Sequence, residues 1–451
     1  MVNVIKLRKG LNINLKGKAT KKRSKLSQED GIFGVVPDDF TGVIPKVVVH
    51  AGDQVKAGDA LFVNKFFPAV RFPSPVSGTV TDIVRGERRK VLCVKVKADE
   101  KQVFRDFGRK EISGLEGEAV KESLLDAGLF GFINQLPYAV STTPDVKPKA
   151  IFVSALRDMP LACDFEMELQ GNEDAFQTGL TALSKMAPTH LGIGARQTAP
   201  ALVSARDVTV TVFQGPCPAG NVGVQVNHLD PVNKGEVVWT VDPSAVIFFG
   251  RLFLTGKVDL TRTIAVAGSE VKDPSYLDVR IGTSLGTILK SRLKSSDHVR
   301  VINGNPLTGK HAGPEDFLGA HVSEVTVIPE GDTADEFLGW IRPRTRQFSV
   351  SHSYFSWLFG HKKAYDLDAR IKGGERHMIM SGEYDRVLPM DIYGGYLIKA
   401  ILSGNIDRQE QLGIYEVSPE DFALAEFVDS SKLPLQKIVR DGLNQLRKEN
   451  A

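Results

Sequence analysis

The residues of this chain that could do chemistry are scattered, and few of them meet in a spacing that specifies a reaction. His190, His228, His298, His311 and His352 stand singly, and a lone histidine is more often a surface or satisfied core residue than a ligand. Cys93, Cys163 and Cys217 lie far apart with no C-x-x-C between them. That argues against a zinc ribbon, a disulfide scaffold or a cysteine-held iron–sulfur cluster, and for a reducing compartment. No H-E-x-x-H, G-x-S-x-G or P-loop occurs. Asp38-Asp39 and Glu383-Tyr384-Asp385 read as polar turns that could also present carboxylates. Residues 215–223, GPCPAGNVG, form the richest loop, in which two prolines stiffen the backbone and three glycines let it approach a ligand closely. The same loop equally fits a wide turn that packs one domain on another. Lys65, followed by Phe66, Phe67 and Pro68, is a candidate for covalent modification.

The elements around Lys65 are the most regular in the chain. Residues 47–96 contain two echoing hairpins, with strands expected at 47–50, 60–63, 79–84 and 91–96. Gly52-Asp53, Gly58-Asp59 and Ser77-Gly78 supply the positive φ that tight turns need. The pattern H-x-G-D-x-V-K-x-G-D-x-L … S-P-V-S-G-T-V resembles the barrel-sandwich hybrid of biotinyl and lipoyl carrier domains. A carrier lysine sits at a tight hairpin tip between two methionines. Lys65 has no methionine beside it, and the segment from it to Ser74 is long and aromatic. The hybrid barrel is therefore expected to serve as a packing module.

At 451 residues the chain is long enough for three or four domains, and a net charge of +3 argues against a general nucleic-acid binder. The N-terminus lacks an apolar h-region, so no signal peptide is expected, and no run of about 18 apolar residues suggests a membrane span. The expected fold class is a multidomain α/β protein. Residues 1–100 hold N-terminal strands and the biotinyl/lipoyl-like barrel-sandwich hybrid. Residues 101–257 read as a Rossmann-like α/β domain. Its expected helices are 118–127, closed by Gly128, and 174–186, and its expected strands are 151–155, 190–193, 208–213, 237–241 and 246–249. No G-x-G-x-x-G follows Ala155, and Gly192-Ile193-Gly194 lacks the third glycine. Residues 258–331 show a ββ-α-ββ order, with strands at 263–267, 276–281, 299–302 and 325–328 and a helix at 284–293, which suggests a β-grasp (ubiquitin-like) domain. Residues 332–451 turn helical, with helices expected at 334–340, 354–359, 392–403, 419–427 and 435–448. Within them, residues 342–363 interleave Arg342, Arg344, Arg346, Lys362 and Lys363 with Phe348, Tyr354, Phe355, Trp357 and Phe359. That mixture suits a membrane surface or a membrane-embedded partner, or else an aromatic helix folded on its own core with a solvated basic edge.

Several stretches together carry a family resemblance: HAGDQVKAGDALF, FPSPVSGTV, GPCPAGNVG, GRLFLTGKVDLTRTIAVAGSEVKDP, GWIRPRTRQFSVSHSYFSWL, GGERHMIMSGEYDRVLPMDI and ALAEFVDSSK. They resemble the A subunits of the sodium-translocating NADH:quinone oxidoreductases over essentially the full length. A more distant similarity runs to the C subunit of the Rnf complex and to the flavin-carrying subunit of respiratory complex I. The resemblance implies a subunit of a complex that oxidises NADH, reduces quinone to quinol and exports Na⁺. It further implies a peripheral protein on the cytoplasmic side of the inner membrane, whose partners are the other subunits, including a membrane-embedded flavoprotein, and quinone, but no nucleic acid. Flavins and an iron–sulfur cluster are then expected on other subunits, with no covalent cofactor, metal or catalytic residue on this chain.

Three departures narrow the role that the resemblance implies. Phe130 and Phe132, in GLFGFINQ, stand where the complex I relative has a multi-glycine cradle for a flavin phosphate. No cysteine follows Cys217, and Ala425 and Asp429 replace two cysteines that many A subunits keep. Cys217 itself replaces the histidine of the family's G-P-H-P-A-G. What remains is a scaffold whose aromatic loops suit a flat apolar ligand. The expected quinone-binding residues are Asp39, Phe40, Phe130, Phe132 and Tyr138, on a surface built from residues 35–40, 130–138 and 215–223. Two other readings stay open: a covalent biotin or lipoate carrier, and a purely structural subunit with quinone bound elsewhere in the complex. An intact mass equal to the sequence mass is the expected result for this chain, and an added biotinyl or lipoyl mass on Lys65 would restore the carrier reading.

Overall fold

Short β-branched runs punctuated by glycine build the first unit. In the computed structural model, which describes residues 3–26, 31–332, 344–345, 347–350, 354–359 and 363–450, two sheets face each other here. One is Ile32–Val35, Val91–Ala98, Gly78–Arg85 and Gln54–Val55; the other is Pro45–Val47, Ala60–Asn64 and Arg71–Pro73. Val80, Val94 and Val96 fill the space between them and are fully buried. Gly52 and Gly58 turn the chain at φ +96° and +97°, a region that costs glycine nothing. Lys65 lies in the exposed turn between Ala60–Asn64 and Arg71–Pro73, its backbone N–H donated to the Ile44 carbonyl at 2.8 Å. The strands Gln54–Val55 and Arg71–Pro73 are too short to show a period in sequence.

The second unit is a seven-stranded sheet in the order Asn3–Lys6, Thr209–Gln214, Thr189–Gly194, Ile151–Ser154, Val238–Val241, Ile133–Leu136 and Val140–Ser141. The first five run parallel, and the last two are antiparallel additions. Ile151 and Val153 face one core while Phe152 faces another, so the sheet is covered on both sides, as parallel sheets require. Asn3–Lys6, which sequence proximity grouped with the barrel, is instead the parallel edge strand of this sheet. Residues 246–249, expected as a strand, lie inside the helix Pro243–Thr255. Asp242 caps that helix by accepting the Ser244 N–H, Pro243 opens it, and Gly256 closes it at φ +70°. Those end signals outweigh the continuous apolar run, which is apolar on all sides because the helix is buried nearly all round.

The third unit is a six-stranded sheet ordered Lys310–Ala312, Val299–Asn303, Glu324–Pro329, Thr261–Ala267, Ser275–Arg280 and Arg23–Lys25. Thr261–Ala267 pairs antiparallel with Ser275–Arg280 and parallel with Glu324–Pro329, and the short helix Leu285–Leu289 crosses between them. Helices dominate after residue 383. The last of them, Leu435–Glu449, buries Leu435, Val439, Leu443 and Leu446 on one stripe. The segment Glu383-Tyr384-Asp385 is more than a polar turn, because Tyr384 is buried and opens the helix Tyr384–Val387. The helix expected at 334–340, together with Arg342, Arg346 and Lys362, lies outside the described residues. Within residues 354–359 the chain forms a 3₁₀ turn, Phe355–Phe359, with Phe355, Trp357 and Leu358 exposed.

Helices Glu173–Met186 and Pro243–Thr255 approach each other through two glycines. A methyl group on Gly250 would collide with the Ala175 carbonyl, and one on Gly179 with the Val246 carbonyl. Gly250→Ala is therefore expected to destabilise the fold by about 1–3 kcal/mol through overpacking, despite its gain in helix propensity. A urea titration checks this, and an unchanged midpoint would mean that the two helices separate freely.

Candidate functional site

The order of the seven-stranded sheet reverses at Ile151–Ser154. From there the chain moves outward to Thr189–Gly194 and Thr209–Gln214, then returns to Val238–Val241 on the opposite side. Loops diverge at the carboxyl end of such a switch point and leave a crevice. Here the crevice is a cleft of about 610 Å³, within the usual ~300–1,000 Å³ of ligand sites. Its walls come from every unit of the fold. They include Asp38 and Asp39 leading from the barrel, Ser154 to Met159 after the central strand, Gly220 to Gly223, and Asp242. Residues of the six-stranded sheet and of the C-terminal helices complete them.

Hydrogen bonds lock the richest loop of the sequence to the strand end. Ser154 Oγ donates to the Gly220 carbonyl at 2.7 Å, and Gln225 Nε2 donates to Ser154 Oγ at 2.8 Å and to the Ala219 carbonyl at 3.1 Å. The Gly220 N–H in turn donates to Asp158 Oδ2 at 3.0 Å. The loop also packs between chain segments. Cys217 N–H donates to Asn12 Oδ1 at 3.0 Å, and Asn221 Nδ2 donates to the Glu420 carbonyl at 3.3 Å. The loop thus lines the cleft and at the same time packs between chain segments, as its spacer reading expects.

A buried ionic cluster forms the back of the cleft. Arg157 donates to Glu168 at 3.0 Å, to Asp242 at 3.3 Å and to Ser244 Oγ at 2.9 Å. Arg262, almost fully buried, donates to the same Ser244 Oγ at 2.7 Å and to Ser323 Oγ at 2.8 Å. Ser244 Oγ donates its own proton to Glu168 Oε2 at 2.7 Å. Burial works to raise the Asp242 carboxyl, but Arg157, Arg262 and the Ser244 N–H together hold it below the usual carboxylate range. Other acids of the cleft go the other way. Burial pushes Asp158 up to about 6 and raises Asp39 and Glu324. Burial also lowers His321 to about 4, which keeps its imidazole neutral.

Of the five residues expected to hold a quinone, Asp39 borders the cleft, with its Oδ2 accepting the Ala320 N–H at 2.9 Å. Phe40, Phe130 and Phe132 are at most 2% exposed and belong to an interior aromatic cluster. Phe40 packs on Phe72 at 4.4 Å and on Phe132 at 5.3 Å, and Phe130 meets Trp239 edge-on at 5.6 Å. No ligand can stack on these rings without opening the core. Tyr138 takes a positive φ and turns its carbonyl to Arg440 Nη1 at 2.7 Å, so Ala139 rather than Tyr138 meets the cleft. The backbone of residues 130–132 is equally unsuited to a flavin phosphate, since the Phe132 N–H closes the turn on the Leu129 carbonyl. His321, Arg157 and Glu420 border the cleft without any sequence motif that marks them. Among the described residues no cluster of histidine, cysteine, aspartate or glutamate could hold a metal ion, and no helix is long and apolar enough to cross a membrane.

These features define a multidomain α/β protein whose parts converge on one polar cleft at a sheet switch point. Family models match in three places: the NqrA N-terminal barrel-sandwich hybrid domain over residues 5–99, the NqrA second alpha/beta domain over residues 115–258, and the NQRA C-terminal domain over residues 263–313. The chain is 33% identical to the A subunit of the Na(+)-translocating NADH-quinone reductase of Yersinia pestis bv. Antiqua (strain Angola) and to that of Pasteurella multocida (strain Pm70). Each alignment covers 99% of this chain and 100% of the relative. Identity is 34%, over the same shares, to the corresponding protein of Saccharophagus degradans. The chain therefore belongs to the NqrA family, the A subunits of the Na(+)-translocating NADH-quinone reductases, and is one component of an oxidoreductase complex.

A carboxyl whose pKa rises on folding contributes stability in full below its unfolded value, about 4, and loses it as pH climbs through the folded value. For Asp158 that window runs from about 4 to about 6. His321, lowered on folding, acts in the opposite sense over part of the same range, so the test is a difference between variants. Asp158→Asn should gain stability relative to the native chain as pH rises from about 4 to about 7, read by urea denaturation at each pH. A pH-independent difference would show that Asp158 titrates normally.

Proposed function

We propose that this chain is the peripheral, quinone-facing subunit of the sodium-pumping NADH:quinone oxidoreductase, and that its cleft receives the quinone head group during quinone reduction. One observation carries this reading. The three stretches expected to form the quinone surface, residues 35–40, 130–138 and 215–223, all send residues to one cleft: Asp38 and Asp39, Asn134 and Leu136, and Gly220 to Gly223. Recognition then falls to polar groups rather than to ring stacking. The neutral imidazole of His321 borders the cleft. That group and Asn134 suit carbonyl oxygens, while Leu136, Met159 and Val222 flank an apolar ring.

The finer features of this reading have separate support. The reversal of strand order fits a Rossmann-like domain, and the parallel central pair flanked by hairpins fits a β-grasp domain. The exposed Phe355, Trp357 and Leu358 suit docking to a membrane-embedded flavoprotein subunit from the cytoplasmic side. Flavins and the iron–sulfur cluster are then carried by other subunits. A second reading, a structural subunit with quinone bound elsewhere, is favoured by the complete enclosure of Phe40, Phe130 and Phe132.

Ala162 borders the cleft and is only partly buried. Ala162→Trp should fill the cleft while sparing the aromatic cluster, and weaken quinone binding roughly tenfold or more by displacing the head group. Phe130→Ala is a poorer probe, because emptying that site costs about 3–5 kcal/mol of stability. Quinone titrated into the assembled Ala162→Trp complex decides between the readings, since native affinity would favour the structural one.

A further inference from the structure

We propose that the outer face of the helix Gly394–Leu402 docks an amphipathic helix of another subunit of the complex, one that presents an aliphatic side chain and a carboxylate. This surface stands apart from the cleft and does not depend on what the cleft holds. The helix reads GGYLIKAIL, and Lys399 is its one charged residue. Leu397, Ile398 and Ile401 are buried and join the core of the C-terminal unit. A helix that is apolar on all sides belongs in an interior, yet this one is covered on one side only. Tyr393, just before it, is 70% exposed, Tyr396 59% and Leu402 54%. With the exposed Lys399 they fall three residues apart and form an inclined stripe along the outer face.

The apolar surface continues onto the chain that precedes the helix Tyr384–Val387. Ile379 and Met380 are exposed there, and they share a notch of about 50 Å³ with Tyr393 and Tyr396. The two tyrosine rings meet edge-on at 6.3 Å. Single exposed apolar residues are ordinary, whereas a contiguous patch marks an interaction site. The notch is far smaller than the ~300–1,000 Å³ of small-molecule sites, so it takes a side chain rather than a cofactor. Tyrosine and methionine are enriched at protein interfaces, and a helix laid in a groove supplies an aliphatic anchor at the matching position.

Charge selects the kind of partner. Lys399 lies within the apolar stripe, and covering its ammonium group without an anion would leave an uncompensated charge. The partner therefore brings a carboxylate to that position. Asp385 lines the notch, and Asp391 is exposed two residues before Tyr393. A surface that mixes these carboxylates with Lys399 is unlike the basic polar face of helices that lie on anionic lipid. The chain belongs to a family of subunits of one complex, which supplies protein partners for such a face.

The test uses the assembled complex in detergent, with Tyr396→Ser and Lys399→Glu made separately. Both side chains are exposed, so the isolated variants should keep the native thermal midpoint. Each should leave the complex about thirtyfold faster, the effect of one interface hot spot, which acts mainly on dissociation. A photo-reactive residue in place of Tyr396 should cross-link to an apolar helix of another subunit. Exchanging the acidic residue of that helix for lysine should restore slow dissociation to Lys399→Glu. If the folded variants dissociate at the native rate, this face is not a docking surface. A cross-link to lipid alone, or to a second copy of this chain, would overturn the assignment to another subunit.

Discussion

Two buried arginines set the geometry on which the cleft depends. Arg157 leaves the end of the central strand, and Arg262 lies in the strand Thr261–Ala267 of the six-stranded sheet. Both close on Ser244, with Glu168 and Asp242 as their anions. Removing such charges from water costs several kcal/mol per ion, which only good geometry and extra hydrogen bonds repay. Breaking one member would strand the others, so the cluster tolerates a narrow range of arrangements. The chain of contacts extends further. Arg262 Nη1 donates to the Ala320 carbonyl at 3.3 Å, and the Ala320 N–H donates to Asp39 at 2.9 Å. Barrel, parallel sheet and mixed sheet are thereby tied into one frame, and the cleft is the space that frame leaves open.

The same cluster bears on what the cleft can accept. At a switch point, the start of a helix offers bare N–H groups to an anionic ligand. Here Asp242 occupies that position itself, accepting the Ser244 N–H at 2.9 Å as the cap of Pro243–Thr255. Asp39, Asp158, Glu324 and Glu420 add further acidic groups to the walls, and Arg157 is already committed to Glu168 and Asp242. An added phosphate would meet carboxylates and a capped helix. A neutral ligand would meet no such repulsion.

Much of the architecture was legible because its signals are local. Glycine turns and β-branched runs marked the barrel, and buried apolar runs marked the parallel strands. Gly128, at φ +73°, closed the first long helix where a left-handed residue was expected. The reading failed where pairing partners are distant. Asn3–Lys6 looks like any short strand, and only its register with Thr211 to Gln214 assigns it to the parallel sheet. Residues 246–249 were misread because a helix buried on all sides has lost the period that distinguishes it from a strand. The cleft was legible as three stretches but not as side chains. Aromatic residues suited to stacking are equally suited to a core, and composition cannot separate the two uses. Arg157, His321 and Glu420 come from three separate parts of the chain, and folding alone brings them to one cleft.

His321 joins what the sequence pointed to with what the structure offers. Its ring packs edge-on against Phe40 at 5.5 Å and Phe132 at 5.6 Å, while the residue itself borders the cleft. The rings surround it with apolar surface, burial lowers its pKa to about 4, and the imidazole stays neutral. An unprotonated ring adds no charge to a wall already crowded with carboxylates. Phe40 and Phe132 thus bear on the cleft through position rather than contact. They form a rigid aromatic bed that fixes an adaptable polar group at its edge. Aromatic rings held this way cannot follow a ligand in and out, whereas the residues in front of them can exchange hydrogen bonds with water or with a carbonyl at little cost. The division of labour explains how a core-forming loop, poor in exposed rings, can still lie next to an open polar cleft.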